Sequence, residues 1–212
     1  KNSKPFKKGD FSGGFLHAGV SELTMACIMN GMALHGGIIP VCGTFFVFSD
    51  YMKPAFRMSA LMRQQVIYVW THDAFRVGED GPTHQPVEHE LQVRLMEALK
   101  NHKGKNSMLV LRPADVDETT VAWKMALENQ DTPTALILSR QNVKNLPRKE
   151  SKYNEALGAT KGAYIVKDCE GTADVILLAS GSEVSTLVAA TELLESRANL
   201  NVRIVSVPSE GL

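Results

Sequence analysis

The chain has 212 residues, of which 44% are hydrophobic and 22% are charged, a composition typical of a soluble globular protein with one large or two modest domains. Its 23 lysine and arginine residues balance 23 aspartate and glutamate residues, which argues against nucleic acid or an anionic membrane as the main partner, because either would favour a basic surface. The longest apolar runs, such as Val175–Ala179, are far too short to span a bilayer.

Strands and helices are predicted to alternate over the first part of the chain. Apolar residues at helical spacing predict a helix over Gly19–Leu34. Further helices are predicted at Ser49–Arg63, for which Ser49 offers an N-cap, at Val87–Lys100 and at Asp115–Glu128. Short apolar runs predict buried strands at Ile38–Cys42, Val66–Trp70, Met108–Leu111 and Ala135–Leu138. This alternation implies an α/β fold in which helices cover both faces of a parallel sheet.

A polar stretch, Gln141–Gly158, contains Pro147 and predicts a linker to a second α/β unit. The predicted elements of that unit are strands Tyr164–Lys167 and Val175–Ala179, helix Glu183–Ser196 and strand Val202–Val207. We therefore divide the chain into one domain over residues 1–150 and the start of a second over residues 151–212. Because Lys1–Ser12 has no strand or cap signal and Leu212 follows a strand directly, we expect the chain to be cut at both ends.

The three cysteines, Cys27, Cys42 and Cys169, are widely spaced and form no Cys-x-x-Cys pair. An odd number of scattered thiols suits a reducing cytoplasm and gives no zinc signature. A charged and then apolar leader does not open the printed sequence either. We therefore predict a cytoplasmic protein in which all three cysteines act as small buried apolar side chains.

The stretch THDAFRVGEDGPTHQP, residues 71–86, holds two histidines, three acids and an arginine directly after a predicted strand. Ser139-Arg140 follows another. In parallel sheets ligands bind beyond the carboxyl ends of the strands, so both positions favour a site. Histidines there can donate hydrogen bonds and shuttle protons near neutral pH. For Asp73 and Glu79 taken singly, a solvated turn is the default interpretation.

A metal site and a hydrolase site are the first alternatives for this loop. The run from His84 to Glu88-His89 has one residue too many for an inverted zinc motif, and Pro86 breaks the helix that the motif needs. Gly78–Gly81 lacks the alternating oxygen ligands of a calcium loop, so we assign no metal ligands although residue types leave a metal possible. A serine hydrolase is disfavoured because the sequence has no Gly-x-Ser-x-Gly turn.

The loop resembles the substrate loop of transketolase, through Thr71-His72-Asp73 and the longer run Gly78–Pro86. Three other stretches match in the right order. Gly19–Glu22 resembles the segment that carries the cofactor glutamate, Gly43–Tyr51 the aromatic wall and Ser139–Asn142 the phosphate-binding arginine. This resemblance covers nearly the whole chain. It implies the thiamine diphosphate-binding fold, with a pyrimidine-binding domain followed by the start of the C-terminal domain.

The resemblance implies that the protein transfers a two-carbon ketol unit from a ketose phosphate to an aldose phosphate in the pentose phosphate pathway. The cofactor would be thiamine diphosphate, with a magnesium or calcium ion whose ligands lie outside this chain, because the family's Gly-Asp-Gly…Asn motif is not found here. The partners would be sugar phosphates and either a second copy, in a homodimer, or a separate N-terminal domain or subunit. The chain alone would be inactive.

The cofactor side of the site is assigned by the same resemblance to four residues. Glu22 would hydrogen-bond the pyrimidine ring and activate the cofactor, which requires a desolvated carboxyl group. Phe45, Phe48 and Tyr51 are spaced by three, so they share one face and would hold the flat pyrimidine, with Phe48 against the ring. The same stripe is also typical of an ordinary core.

The sugar side is assigned to four residues near the two strand ends. His72 and His84 would act at the reacting end and hydroxyl groups of the substrate, and His72 would also help to anchor its far end. Asp80 would contact a hydroxyl group next to the reacting carbon. Arg140 would hold the phosphate, since its planar fork matches a phosphate bidentately.

Three other proteins share parts of this pattern. Deoxyxylulose-phosphate synthase has a similar Gly-Ala-Asp-Gly-Pro-Thr-His core, a thiamine-dependent dehydrogenase β-subunit would lack both Thr71–Asp73 and Ser139–Asn142, and a non-catalytic assembly subunit could keep the fold alone. The chain also departs from the transketolase pattern at Ser21, where the family has arginine, and at Arg76, which would add a cation at the rim. Leu99–Ser107 looks like a surface elaboration.

Overall fold

A four-stranded parallel sheet forms the centre of the first part of the chain. The computed structural model describes residues 4–75, 77–148 and 152–212. The strands of this sheet are β1 (Val41–Phe45), β2 (Ile67–Thr71), β3 (Leu109–Leu111) and β4 (Thr134–Ile137). Their order is β1-β2-β4-β3, and every pairing is parallel. All four carboxyl ends therefore lie at one edge of the sheet.

Helices cover both faces of this sheet, as the sequence predicts. The helices are α1 (Glu22–His35), α2 (Ser49–Met62), α3 (His89–Ala98) and α4 (Val116–Glu128). Because side chains alternate along a strand, Tyr68 and Trp70 of β2 pack in the cluster that also contains residues of α1, α2 and α3. Ile67 and Val69 point the other way and pack against α4. The resulting layers are helix, sheet and helix.

The second unit contains a smaller mixed sheet. After the short helix α5 (Lys152–Ala156), its elements are β5 (Tyr164–Lys167), β6 (Val175–Ala179), α6 (Glu183–Ala198) and β7 (Val202–Ser206). The strand order is β5-β7-β6, with β6 parallel and β5 antiparallel to β7. Helix α6 packs on one face through Val184. Ile176 and Leu178 of the other face are 50% and 63% exposed, so nothing within the described residues covers them.

One helix and one strand each begin three residues later than the sequence predicts. Helix α1 begins at Glu22 rather than Gly19, because Gly19 has φ +69°, which an α-helix does not allow. Strand β1 begins at Val41 rather than Ile38. Ile38 and Ile39 are 52% and 42% exposed, and pairing with β2 starts only where the Ile67 amide donates to the Pro40 carbonyl. Apolar character alone therefore misplaced the strand.

Two other local predictions also need correction. Ser49 is not an N-cap: it is the first residue of α2, which continues from the 3₁₀ turn Phe46–Phe48 without a side-chain cap. The predicted linker, Gln141–Gly158, contains α5 and enters a second 3₁₀ turn at Leu157–Lys161. These two short elements are held because Ala156 and Ala159 pack against Val121 of α4, and elements of five residues each are too short to give a periodic signal.

The cysteines follow the prediction only in part. Cys42 of β1 is buried, and burial raises the pKa of its thiol to about 12, so it behaves as a small apolar side chain. Cys27 is exposed on α1 and Cys169 is half-buried, which contradicts the expectation for those two. In the Leu99–Ser107 stretch residues 102–105 are exposed, as expected of a surface turn. Within the described parts of the chain, no helix is both long and apolar enough to cross a membrane.

Candidate active site

The loop at residues 71–86 is held at the carboxyl edge of the first sheet by hydrogen bonds to the segment after β4. The Leu138 amide donates to the Trp70 carbonyl at 2.8 Å, and the Asp73 amide donates back to the Leu138 carbonyl at 3.1 Å. Further on, the His84 amide donates to the Gly81 carbonyl in the 3₁₀ turn Pro82–His84. Both ends of the loop are therefore fixed, and Ser139-Arg140 lies beside it.

An aromatic cluster lines this edge. The rings of Phe45 and His72 are stacked with centroids 3.7 Å apart. Phe48 lies 6.0 Å from Phe45 and meets the ring of His84 edge-on at 5.3 Å. Tyr51 follows at 6.0 Å from Phe48 and is 62% exposed. The structure thus brings the three aromatic residues that the sequence singled out onto the same surface as the two histidines.

Asp80 links His72 to Arg140. Its Oδ2 lies 3.8 Å from His72 Nε2 and 3.3 Å from Arg140 Nε. Each histidine also lies within hydrogen-bond distance of the preceding threonine. Thr71 Oγ1 is 2.9 Å from His72 Nδ1, and Thr83 Oγ1 is 2.8 Å from His84 Nδ1. A carboxylate, a guanidinium group and an imidazole therefore converge at the two strand ends, as their positions predict.

The protonation of His72 depends on its neighbours. Burial of the ring lowers its pKa below the ordinary value, and Arg140 and His84 lower it further, while Asp80 and Asp73 act in the opposite direction. The net effect is a lowered pKa, so the imidazole is neutral at neutral pH. A neutral ring has one donor and one acceptor nitrogen, which is the form needed to exchange a proton with a hydroxyl group.

Glu22 lies beside the end of β1. It is the first residue of α1 and is half-buried, and the Thr44 hydroxyl donates to its Oε1 at 3.5 Å. Thr44 is the next-to-last residue of β1, so this contact places the carboxyl group near the carboxyl edge of the sheet. Ser21, one of the departures from the family pattern, is the residue that precedes α1 and makes no side-chain cap. The other departure, Arg76, lies outside the described residues.

The structure overturns the interpretation of Asp73 as a solvated residue. Its side chain is 1% exposed, and its Oδ2 accepts hydrogen bonds from Arg112 Nη2 at 2.9 Å and Ser182 Oγ at 3.1 Å. Glu79 is exposed, as expected. Sequence reasoning missed Arg112, which directly follows β3. A charged residue immediately after a buried strand was the signal available for it, whereas Arg140 lies three residues beyond β4.

A possible metal-binding group occurs at another place. Of the described residues, Asp50, Glu88 and His89 offer ligand atoms within 4.8 Å of one another. His89 Nε2 lies 3.1 Å from Asp50 Oδ2, and both carboxylates are exposed. A histidine–aspartate hydrogen bond accounts for this contact, so we assign it no metal. His72 and His84 are not part of the group.

Two cavities, of about 220 and 360 Å³, occur in the described parts of the chain. The first lies beside Leu99–Ser107, and the second lies beside the start of α4, where Ser139, Gln141 and Asn142 line it. None of the eight site residues proposed from the sequence lines either cavity.

Known proteins were compared with the chain. Residues 1–145 match the family described as "Transketolase, pyrimidine binding domain", and residues 162–212 match the "Transketolase-like TK C-terminal domain". The first match covers well over half of the chain. The chain therefore belongs to the transketolase family of thiamine diphosphate-dependent enzymes.

Individual relatives agree with this assignment. The chain is 50% identical to the transketolase of Halalkalibacterium halodurans over 210 residues, which are 99% of this chain and 30% of that protein. Among solved structures, the transketolase of Leishmania mexicana superposes with a TM-score of 0.83 at 42% identity, over 98% of this chain and 28% of that one. A Pichia stipitis transketolase, solved as a complex with sedoheptulose-7-phosphate, gives 0.83 at 39% identity over 99% and 30%. The chain thus spans about 30% of the length of its relatives.

Proposed function

We propose that the chain supplies the pyrimidine side and the sugar side of a transketolase active site, which moves a two-carbon ketol unit between sugar phosphates with thiamine diphosphate. The observation that carries the proposal is the convergence at one sheet edge of the Phe45–His72 stack and the Asp80–Arg140 ion pair. An aromatic wall suits a flat heterocycle, and the charged group suits a polyhydroxylated anion. The ligand in the Pichia stipitis complex, a sugar phosphate, agrees with this chemistry.

On the cofactor side, the residues present fit a pyrimidine ring. One face of Phe45 is covered by His72 at 3.7 Å, whereas Phe48 meets His84 edge-on, which leaves Phe48 better placed for ring contact. Glu22 contacts Thr44 near the same edge of the sheet and would donate or share a proton at a ring nitrogen. Bound thiamine diphosphate would supply the carbon nucleophile that the protein's own side chains lack. The magnesium or calcium ion would be held by ligands outside this chain.

On the sugar side, each polar residue has a distinct role in the proposal. His72, in its neutral form, exchanges a proton with a substrate hydroxyl group, and His84 contacts the hydroxyl groups at the reacting end. Asp80 accepts a hydrogen bond from a hydroxyl group next to the reacting carbon and orients the Arg140 guanidinium through Nε. Arg140 then binds the phosphate, with help from His72 at the far end of the substrate. Because the guanidinium group of Arg140 is planar and pre-organised, less entropy is lost when it binds the phosphate.

The complete site needs another domain or subunit. We use the word holoenzyme for this chain together with the domains that complete its site. Helix α1 is apolar on both sides: Ala26 and Met29 are buried, whereas Leu23, Ile28 and Leu34 are 45%, 37% and 58% exposed. A helix that is apolar all round is normally buried on all sides. This supports assembly as a homodimer or with a separate N-terminal subunit.

We also propose a cytoplasmic location, a role in the pentose phosphate pathway and a domain division at residues 1–150 and 151–212.

Reconstitution tests this function. The purified chain should show no ketol transfer alone, and adding the N-terminal domain of the Halalkalibacterium halodurans transketolase with thiamine diphosphate and magnesium should produce it. His84→Ala should abolish the restored activity, because His84 lies in the site, while His102→Ala, in an exposed turn, should not. A stable but inactive complex would instead identify a non-catalytic assembly subunit. Activity of the highly purified chain alone would contradict the proposal.

A further inference from the structure

The backbone at His72 is unusual for its position. Among the described residues other than glycine, positive φ values occur at Arg63, His72 and Asn199. Arg63 and Asn199 end helices α2 and α6, where a left-handed residue is ordinary. His72 has φ +64° directly after a strand, a conformation that is strained for a residue with a side chain. Such a conformation persists only when the surrounding contacts enforce it.

The contacts that hold this turn converge on the next residue, Asp73. Its amide donates to the Leu138 carbonyl, and its buried carboxylate accepts from Arg112 and Ser182. Asp73 is therefore fixed at both its backbone and its side chain. Since a residue with φ near +60° sends the chain in a different direction from an extended one, fixing Asp73 also fixes the direction of the His72 side chain.

Arg112 is the centre of this arrangement. Its side chain is 5% exposed, and besides Asp73 it donates to both carboxylate oxygens of Glu183, at 2.9 and 2.7 Å, and to Ser180 Oγ at 3.0 Å. Glu90 of α3 adds an ion pair at 3.4 Å. Burial by itself would lower the pKa of Arg112, but the surrounding carboxylates raise it above its ordinary value. The guanidinium group is permanently charged, and its Nη1 and Nη2 are hydrogen-bonded, whereas Nε has no hydrogen-bond partner among the described residues.

These contacts join the first sheet to the second unit. Ser180, Ser182 and Glu183 belong to the turn between β6 and α6, and the Gly181 amide donates to the Arg112 carbonyl at 3.0 Å. In return, the Arg112 amide donates to the Pro208 carbonyl beyond β7 at 2.8 Å. The side chain of Arg112 thus has the β6–α6 turn on one side and the loop of the candidate site on the other.

We propose that Arg112 is a positioning residue, which acts through Asp73 to hold His72 over Phe45 and makes that position dependent on the docked second unit. This inference rests on the proposed function for its catalytic consequence, but the position of His72 can be measured without it. Arg112 itself touches no substrate in this scheme. It also gives the second unit, whose residues are not among the site residues, a defined influence on the site.

A matched pair of variants, Arg112→Met and Arg148→Met, tests the proposal. Arg148 is an equally buried arginine, 2% exposed in its side chain, that pairs with Asp115 rather than with the site loop. In the full chain, histidine ring signals are followed by NMR through a pH titration, with His72 assigned from the loss of its signal in His72→Gln. In the holoenzyme, kcat and KM are measured for both variants, together with their melting temperatures.

We expect Arg112→Met to shift the His72 ring signals and to move its titration midpoint up towards the ordinary value, because the ring leaves its buried stack on Phe45. The kcat/KM of the holoenzyme should fall at least tenfold, and Arg112→Lys should recover part of it, since lysine keeps the charge but not the planar fork. Arg148→Met should lower the melting temperature but change the His72 signals little and kcat/KM less than about threefold. Asp73→Asn combined with Arg112→Met should be no worse than the poorer single variant.

An unchanged His72 titration in folded Arg112→Met would overturn the proposal, whatever happens to the melting temperature. Equal shifts in the Arg148→Met control would do so too, because they would show a general loss of stability. If Arg112→Met does not fold, Ser182→Ala and Glu183→Gln replace it, and unmoved His72 signals in both would again refute the inference. If the parent holoenzyme shows no ketol transfer, the proposed function fails while the NMR measurement still decides the position of His72.

Discussion

Single residues at the sheet edge differ in what they would contribute to binding and to chemistry. Arg140 is partly exposed and paired with Asp80, which suits a group that binds a charged end of the substrate equally in its ground and transition states. Glu22 is half-buried near the same edge of the sheet, which suits a proton-transfer role. These two residues should therefore give different kinetic patterns when they are replaced.

In the holoenzyme, Arg140→Ala should raise KM for phosphorylated sugars at least tenfold and leave kcat largely unchanged, because the loss of uniform binding affects KM alone. Steady-state kinetics with phosphorylated and unphosphorylated donors measures this effect, and Arg197→Ala, at an exposed position on α6, is the control. The assignment of Arg140 is wrong if KM rises equally for unphosphorylated sugars.

Glu22→Gln should fold and still bind thiamine diphosphate, but its rate should fall by roughly 10²–10⁴-fold, the usual contribution of a positioned acid or base. The direct measurement is hydrogen–deuterium exchange at the thiazolium carbon of the bound cofactor, which is independent of sugar chemistry. Glu192→Gln, exposed on α6, is the control. Exchange as fast in Glu22→Gln as in the parent would leave Glu22 with only a structural role at the start of α1.

At the scale of elements, the loop and the helix ends are held by specific backbone geometry and buried charges. Gly78 has φ +90°, and a Cβ atom there would lie 3.1 Å from Arg140 Nη1. Asp115 caps α4 by accepting from the Glu118 amide and pairs with Arg148. The first feature affects the site and the second affects stability, so each supports its own prediction.

Gly78→Ala should raise KM for sugar phosphates by less than Arg140→Ala does, since its methyl group would push the guanidinium aside by a few tenths of an ångström. Gly104→Ala is the matched control: Gly104 also has positive φ, at +73°, but its Cβ would meet no atom within 4 Å. Both variants introduce backbone strain because both glycines have positive φ, so a difference in KM reports the contact with Arg140. Similar KM values in the two variants would refute this prediction.

Asp115→Asn should lower the free energy of unfolding by about 2 kcal/mol at pH 7, because asparagine can still cap the helix but no longer offers Arg148 a charged acceptor, which leaves the guanidinium with Asp117, Tyr164 and the more distant Glu118. Burial tends to raise the pKa of Asp115, but hydrogen bonds from Arg148 and two amides lower it overall. Its stabilisation is therefore present above the pKa of unfolded aspartate, at about 4, and is lost as pH falls through the lower folded value.

Urea unfolding of Asp115→Asn and the parent between pH 3 and 7 checks this pH dependence. Asp131→Asn is the control, because the pKa of Asp131 is also lowered, to about 2, by hydrogen bonds from Lys105 and Lys103, but at an exposed site where ion pairs stabilise little. A stability difference for Asp115→Asn that stays constant down to pH 3 would contradict the linkage argument.

At the scale of the whole molecule, helix α1 has an exposed side that carries apolar residues. If α1 is an assembly surface, Ile28→Glu should weaken association of the chain with itself or with the N-terminal domain by at least tenfold, because a charge would be buried in the interface. Sedimentation velocity measures the masses. Leu193→Glu, at a 54% exposed apolar residue of α6, is the control. Equal masses for both variants and the parent would show that α1 is not the assembly surface.

The sequence also predicted much of this architecture correctly. Periodicity and short apolar runs located the strands of both sheets within a few residues. The alternation of strands with helices predicted that the strands of the first sheet are parallel. The position of the loop after β2 and of Arg140 after β4 was enough to expect their side chains at one edge. Errors occurred where apolar residues such as Ile38 precede the strand and where α5 depends on packing against α4.

What the sequence determined by itself were the local patterns: the alternation of strands and helices, the ionisable loop and the family motifs. Only the tertiary structure decided that Asp73 is buried against Arg112, that Asp80 joins His72 to Arg140, and that the β6–α6 turn contacts the loop. The physical reason is that periodicity reports which face of an element is buried. It does not report which charges from distant strands meet, because the cost of burying a charge is offset by partners far away in the sequence, as Ser182 is 109 residues from Asp73.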